Sequence, residues 1–258
     1  MRFASLGSGS EGNSLLISSG SGAGSTHVML DCGFGLKETV RRLERLGVEP
    51  QHLSGIVVTH EHSDHIGGVF KLARRFALPV WLTHGSFEGA SRDEMAGVDI
   101  RICRDGEAFA IDGIEMTPYT VPHDAREPVQ YCASDGHRKL GVLTDVGQST
   151  PHLMQALAGC DALLLEFNHD SDMLAHSAYP AWLRSRISGP LGHLSNTASA
   201  EILAALDRSR LRTLVAAHLS QKNNTPQRVR EAIDAVIEGE GRSVVVAEQE
   251  QGFGWVDC

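Results

Sequence analysis

The stretch Thr59-His60-Glu61-His62-Ser63-Asp64-His65 places three imidazoles and a carboxylate directly after the apolar run Ile56-Val57-Val58. Residues two apart in an extended segment point to the same side, so His60 and His62 can share one cation. Asp64 and His65 must point elsewhere. Their adjacency suits a loop turning into a helix expected over Ile66 to Phe76, where a second cation could sit against the first. The motif therefore reads as a binuclear metal site. The plain alternative is a polar strand-end loop whose histidines only cap the helix; the density of ligand-type residues at this spacing favours the metal.

Working outward, the run Ile56 to Thr59 reads as a strand, and Val80 to Thr83 as another. Upstream, β-rich segments at Arg2 to Leu6, Ser14 to Ser18 and His27 to Asp31 are separated by turn-forming stretches, and helical periodicity covers Leu36 to Leu46. Downstream, Glu107 to Thr120, Val129 to Ser134 and Lys139 to Asp145 form a second β-rich block, after which helices and strands alternate to the end. Two β blocks, each joined to helices, predict an α/β fold of two sheets packed face to face with helices outside. No repeat, low-complexity tract or composition shift marks a boundary, and 258 residues fit a single domain spanning 1–258.

The formal net charge of −9 argues against holding nucleic acid through an overall positive field. It leaves a nuclease open, because cations at a binuclear site carry their own charge. The pairs and clusters Arg74-Arg75, Arg184/Arg186 and Arg208/Arg210/Arg212 could meet phosphates, although such arginines are more often solvated helix faces. Five cysteines form an odd set without a C-x-x-C pair, so neither a disulfide framework nor a cysteine zinc site is expected. No apolar run approaches the ~18 residues of a membrane helix. The segment Met1 to Gly7 lacks the apolar core of a signal peptide, which makes the cytoplasm the expected compartment. Oligomeric state is not written in the sequence.

A binuclear site needs further ligands, and three candidates stand at loop positions after apolar strands. His123 follows Val121-Pro122, Asp145 follows Leu140 to Thr144, and His218 follows Leu214 to Ala217. Strand ends are where α/β folds place their chemistry.

With these residues in place, the sequence resembles the metallo-β-lactamase fold superfamily, an αββα sandwich of two mixed β-sheets flanked by helices, with two metals at one end of the sheets. The resemblance implies His60, His62 and His123 on one metal, Asp64, His65 and His218 on the other, Asp145 bridging both, and Asp31 supporting the site by hydrogen bonds. Gly7-Ser8-Gly9-Ser10 through Gly12-Asn13-Ser14, Gly192-His193-Leu194-Ser195-Asn196, and Ala217-His218-Leu219-Ser220 followed by Asn223-Asn224 are similar to the WalJ/YycJ (VicX) group. That likeness implies a bacterial, cytoplasmic 5′-to-3′ exonuclease acting on DNA. Glu11 and Phe167 interrupt otherwise familiar small-residue stretches and leave the ligands intact.

The expected mechanism is attack on phosphorus by a metal-activated hydroxide held by Asp64, with two divalent cations, zinc or manganese, offsetting charge on the phosphate oxygens. His193 is the expected proton donor to the leaving alkoxide, since its segment resembles the one carrying that histidine in tRNase Z-like relatives. Glu166, after Leu163-Leu164-Leu165, would orient it. Ser195 and Asn196, before a helix expected over Thr197 to Leu206, are candidates for a substrate phosphate or an ordinary helix cap. Asn223, Asn168 and His169 are further candidate substrate contacts, and the Gly7 to Asn13 loop is either a phosphate cradle or a plain turn.

Two rival readings remain. Asp64-His65-Ile66-Gly67-Gly68 also suits a thioesterase of the glyoxalase II type on the same fold, and a non-catalytic metal-binding regulatory module would show a lost ligand, which is not seen. A redox di-iron protein would usually carry Glu in place of His62. The short interval between Asp145 and His193 excludes the large insertion of β-CASP nucleases, and no long basic arm of the tRNase Z type is present.

Overall fold

Why the strands read as continuous apolar runs is answered by where their two faces go. The computed structural model describes residues 1–258, the side chain of Ala23 excepted. The strands are β1 (Arg2–Gly7), β2 (Ser14–Ser19), β3 (Thr26–Leu30), β4 (Gly55–Val57), β5 (Val80–Leu82), β6 (Ile100–Ile102), β7 (Phe109–Ile111), β8 (Ile114–Thr120), β9 (Val129–Ser134), β10 (Lys139–Leu143), β11 (Ala162–Glu166), β12 (Thr213–Ala217), β13 (Ser243–Val246) and β14 (Phe253–Asp257). One seven-stranded sheet runs β14-β1-β2-β3-β4-β5-β6 and the other β13-β12-β11-β10-β9-β8-β7. The first is antiparallel over β14-β1-β2-β3 and parallel over β3-β4-β5-β6, the second antiparallel over β7-β8-β9-β10 and parallel over β10-β11-β12-β13, so both sheets are mixed.

The sheets pack face to face through Phe3, Ile17, Val28, Leu30 and Val57 against Met116, Tyr131, Val142, Leu164 and Val215. Alternate residues turn outward, as the two-residue period of a strand requires. Leu16, Met29 and Ile56 meet Leu43 of α1 (Leu36–Arg45), then Val69 and Leu72, while Leu163, Leu165 and Leu214 meet Leu153, Ile202 and Ile233. Both faces are therefore dry, and polar alternation is suppressed. The remaining helices are α2 (Ser63–Ile66), α3 (Val69–Phe76), α4 (His84–Gly89), α5 (Arg92–Met95), α6 (Pro151–Leu157), α7 (Ser171–Ala175), α8 (Ala181–Ile187), α9 (Asn196–Ala205) and α10 (Pro226–Ile237). The layers are helix, sheet, sheet, helix, the expected αββα sandwich. Among the described residues no helix is long and apolar enough to cross a membrane. All five cysteines are buried free thiols.

Three details differ from the sequence expectation. The helix over Ile66 to Phe76 is instead α2 and α3, broken at Gly67-Gly68. A Cβ on Gly68 would lie 1.9 Å from the Phe34 carbonyl oxygen, so the chain turns where backbone meets backbone. The Glu107 to Thr120 block is the hairpin β7/β8, turned at Asp112 with φ 48°. The chain also ends on two strands with no helix between them. The last, β14, pairs with β1 in the opposite sheet, where Phe253 meets Phe3 edge to face at 5.7 Å.

Three strands end in the same unusual way. Asp31 after β3, Asp145 after β10 and His218 after β12 have φ of 60°, 50° and 58°. Left-handed backbone costs an L-residue about 1–2 kcal/mol and clusters at functional sites. All three side chains are buried and aimed at one end of the sandwich.

Candidate metal centre

The first sheet supplies its groups around a single carboxylate. Asp31 accepts from the Thr59 backbone N–H (2.8 Å), from the Thr59 hydroxyl (2.8 Å) and from His65 Nδ1 (2.8 Å). The Thr59 hydroxyl, its proton given to Asp31, accepts from His60 Nδ1 at 2.9 Å. Both imidazoles thereby use Nδ1 as the donor and leave Nε2 as the nitrogen turned toward a cation site. His62 is oriented the other way: its Nε2 donates to the Asp124 carbonyl (3.2 Å), and its Nδ1 lies 3.4 Å from His123 Nε2.

The second sheet repeats the device. Glu166, fully buried at the end of β11, accepts from His218 Nδ1 (2.9 Å) and His193 Nδ1 (2.8 Å). It also receives the backbone N–H groups of Asp145, Val146 and Leu194 at 3.2, 3.3 and 3.0 Å. Burial alone would raise its pKa; the two imidazoles outweigh burial and hold the carboxyl well below its ordinary range. The same pairing works in reverse on His193, where burial opposes charge but Glu166 pushes the imidazole up to about 9. His123 donates its Nδ1 to the Gly192 carbonyl at 3.2 Å.

Ligand-type atoms of His60, His62 and His123 lie within 4.8 Å of one another, as do those of Asp64, His65 and His218, and those of His60, His65 and Asp145. His60 Nε2, His218 Nε2 and Asp145 Oδ2 are buried without a hydrogen-bond partner. Orphaned polar atoms of this kind cost about 1–3 kcal/mol each, and their convergence fits divalent cations as the missing partners. Glu166 and His193 also fall near His218, but Glu166 faces the protonated nitrogen, which makes it a hydrogen-bond acceptor behind a ligand. Burial and its imidazole neighbours push His60 well below its ordinary pKa. Burial alone would lower the pKa of His65, but Asp145 and Asp31 outweigh burial and push it well above its ordinary value.

Several positioning groups carry no signature in the motif. Asn13 donates its amide to Asp64 Oδ2 (3.3 Å), stands 3.1 Å from His65 Nε2, and takes the Asp64 carbonyl on its backbone N–H at 2.8 Å. Ser8, in the same glycine-rich loop, accepts from the His218 N–H at 2.8 Å. The loop thus ties the ligands of one sheet to those of the other. The only hint in the sequence was the Gly and Ser spacing of Gly7 to Asn13, which leaves room for close backbone approach.

The candidate substrate residues lie around the base of α9. Ser195 is its N-cap, accepting from the Ala198 N–H at 3.2 Å, and Asn196 exchanges paired amide bonds with Asn224 at 2.9 and 2.8 Å. Asn168 donates to the His218 carbonyl at 3.0 Å, and buried His169 is pushed down to about 4 by burial. Asn223 is buried, with its Oδ1 lacking a partner.

Comparison with known proteins identifies the family. A beta-lactamase superfamily domain matches residues 26–219. The chain is 32% identical over 248 residues to the exodeoxyribonuclease YycJ of Bacillus anthracis, covering 95% of this chain and 92% of that one. It is 30% identical over 227 residues to the exodeoxyribonuclease WalJ of Streptococcus pneumoniae, covering 86% and 83%. The crystal structure of Zn²⁺-bound PqqB from Methylobacterium extorquens superposes with a TM-score of 0.75 over the whole of both chains at 19% identity, a likeness of fold. The chain belongs to the metallo-β-lactamase superfamily and, within it, to the YycJ/WalJ group.

Proposed function

We propose that the protein is a metal-dependent phosphodiesterase that removes nucleotides from DNA in the 5′-to-3′ direction, using two divalent cations, zinc or manganese. The observation that carries this reading is His193: one nitrogen is tied to Glu166, and its ring stands 5.3 Å from those of both His123 and His218, beside the converging ligand atoms. His60, His62 and His123 would hold one cation, Asp64, His65 and His218 the other, with Asp145 between them. Bound there, cations supply Lewis acidity toward phosphate oxygens and lower the pKa of water. Asp64, partly open to solvent and steadied by Asn13, positions the attacking water. His193, kept protonated by Glu166, gives its proton to the leaving alkoxide. Asp31 and Glu166 hold ring orientation for both halves of the site. Ser195 caps α9 and Asn196 is paired with Asn224, so Asn223, whose amide oxygen is unclaimed, is the remaining polar candidate for substrate. The reading extends to a single catalytic domain working in the cytoplasm.

The test uses metal-depleted protein and its Asp145→Asn variant with 5′-labelled duplex DNA, single-stranded DNA, RNA and a thioester, during titration with Mn²⁺ or Zn²⁺. Metal-dependent release of nucleotides from DNA, abolished in the variant, is the expected result. Thioester cleavage with intact nucleic acid overturns it.

A further inference from the structure

Among the described residues, Ile102, Trp182 and Leu191 are the large hydrophobic side chains that stand exposed, at 44%, 67% and 50%. Ile102 lies on the edge strand β6, away from the ligand-bearing strand ends. Trp182 and Leu191 belong to one short segment, α8 and the turn after it, which has no fully buried side chain within the helix itself.

That segment borders the metal centre. Arg186 stands one helical turn after Trp182 and therefore shares its face. Its Nε donates to Asp124 Oδ2 at 2.6 Å, and the other oxygen of that carboxylate lies 3.5 Å from His123 Nε2. The Ile187 carbonyl accepts from the His193 N–H at 2.8 Å, so the end of α8 fixes the backbone of the proton donor. On the other side, a cavity of about 220 Å³ opens between His169, Arg184 and Ser185. Lys222, from the loop that follows His218, lies 5.5 Å over the ring of Tyr179. Aromatic rings and cations thus alternate beside the site of a chain whose net charge is −9.

We propose that α8 grips the DNA strand: the Trp182 indole stacks on a base of single-stranded DNA, and Arg186 and Lys222 meet the flanking phosphates. This rests on the nuclease reading and names the element that feeds the strand to His193. Stacking suits an exonuclease because every base offers a π-face, so grip does not depend on sequence. The Arg186 side chain is 55% exposed, so its guanidinium can meet a phosphate by giving up its pair with the less exposed Asp124.

The experiment compares wild type with W182A, W182F and, as a control at a distant exposed side chain, I102A. Steady-state hydrolysis of a single-stranded oligonucleotide is measured alongside fluorescence anisotropy with a phosphorothioate-linked, uncleavable strand. W182A is expected to raise KM and the dissociation constant about tenfold while kcat changes far less, and W182F to recover most of the loss by restoring a stacking ring. I102A stays at the wild-type value. Cleavage by wild type with W182A unchanged in KM overturns this inference and leaves the nuclease reading standing. Absence of DNA cleavage by wild type overturns the nuclease reading, and the anisotropy arm then still decides whether the Trp182 surface holds single-stranded DNA. A dimer in light scattering that W182A splits assigns the patch to a second copy of the chain and overturns the proposal.

Discussion

The first sheet delivers its ligand candidates from one turn, His60 to His65 after β4, whereas the second delivers His123, Asp145 and His218 from three separate strand ends. Each side has one buried carboxylate behind its imidazoles, Asp31 in the first and Glu166 in the second. The two carboxylates differ in reach. Asp31 holds one ligand candidate, His65, and the Thr59 that orients another, His60, while Glu166 holds both a ligand candidate and the candidate proton donor, and it also fixes the backbone at Asp145. A compact motif needs one anchor; a dispersed set needs an anchor that bridges strands.

The sharpest break of this comparison is Glu166→Gln. It is expected to lower kcat on DNA by about 100-fold and to weaken metal retention, since supports of this kind contribute 10–100-fold in affinity or activity. Because Glu166 is what raises His193, the alkaline limb of the kcat profile should also move to lower pH; a profile that keeps its limb removes His193 from the acid role. Asp31→Asn is expected to act on one side only. The metal concentration for half-maximal activity should rise by about 10-fold with the pH profile unchanged, measured by titrating Mn²⁺ into chelated protein. Third comes Gly33→Ala. A Cβ there would lie 1.8 Å from the Asp64 carbonyl oxygen, so the motif loop must shift. Thermal unfolding with and without chelator should show a loss of about 1–3 kcal/mol and a smaller stabilisation by metal. Smallest is Ser195→Ala, which removes the α9 cap at about 1 kcal/mol by urea unfolding. A large change in KM from the same variant would return Ser195 to the substrate.

The legibility of the two halves follows the same division. His60 to His65 could be read as candidate ligands from spacing, because a strand and a turn translate directly into side-chain direction. His123, Asp145 and His218 were visible only as polar residues ending apolar runs, a pattern that also closes many strands without chemistry. The sandwich was legible because residues such as Val28, Met29 and Leu30 must bury both faces of a strand. Hidden from the sequence were the left-handed turns at Asp31, Asp145 and His218, which arise from how strands end in three dimensions. Equally hidden were bonds that join distant parts of the chain, as from Ser8 to His218, and the double duty of Glu166. The break at Gly67-Gly68 was missed because helical periodicity continues across it while the obstacle, Phe34, comes from elsewhere.

The pairing of β1 with β14, Arg2 opposite Asp257, bears on how the chain folds. The sheet that carries His60 to His65 is completed only when β14 pairs with β1, and His218 lies far along the chain from the motif, so the sheet and the set of ligand candidates both depend on contacts of long sequence separation. His60, His62, Asp64 and His65 are close in sequence, whereas the residues that join them at the site come from strand ends much further along the chain. Because the full set of ligand candidates converges only in the folded chain, a cation bound there would add to folding stability, and a chelator would take that increment away.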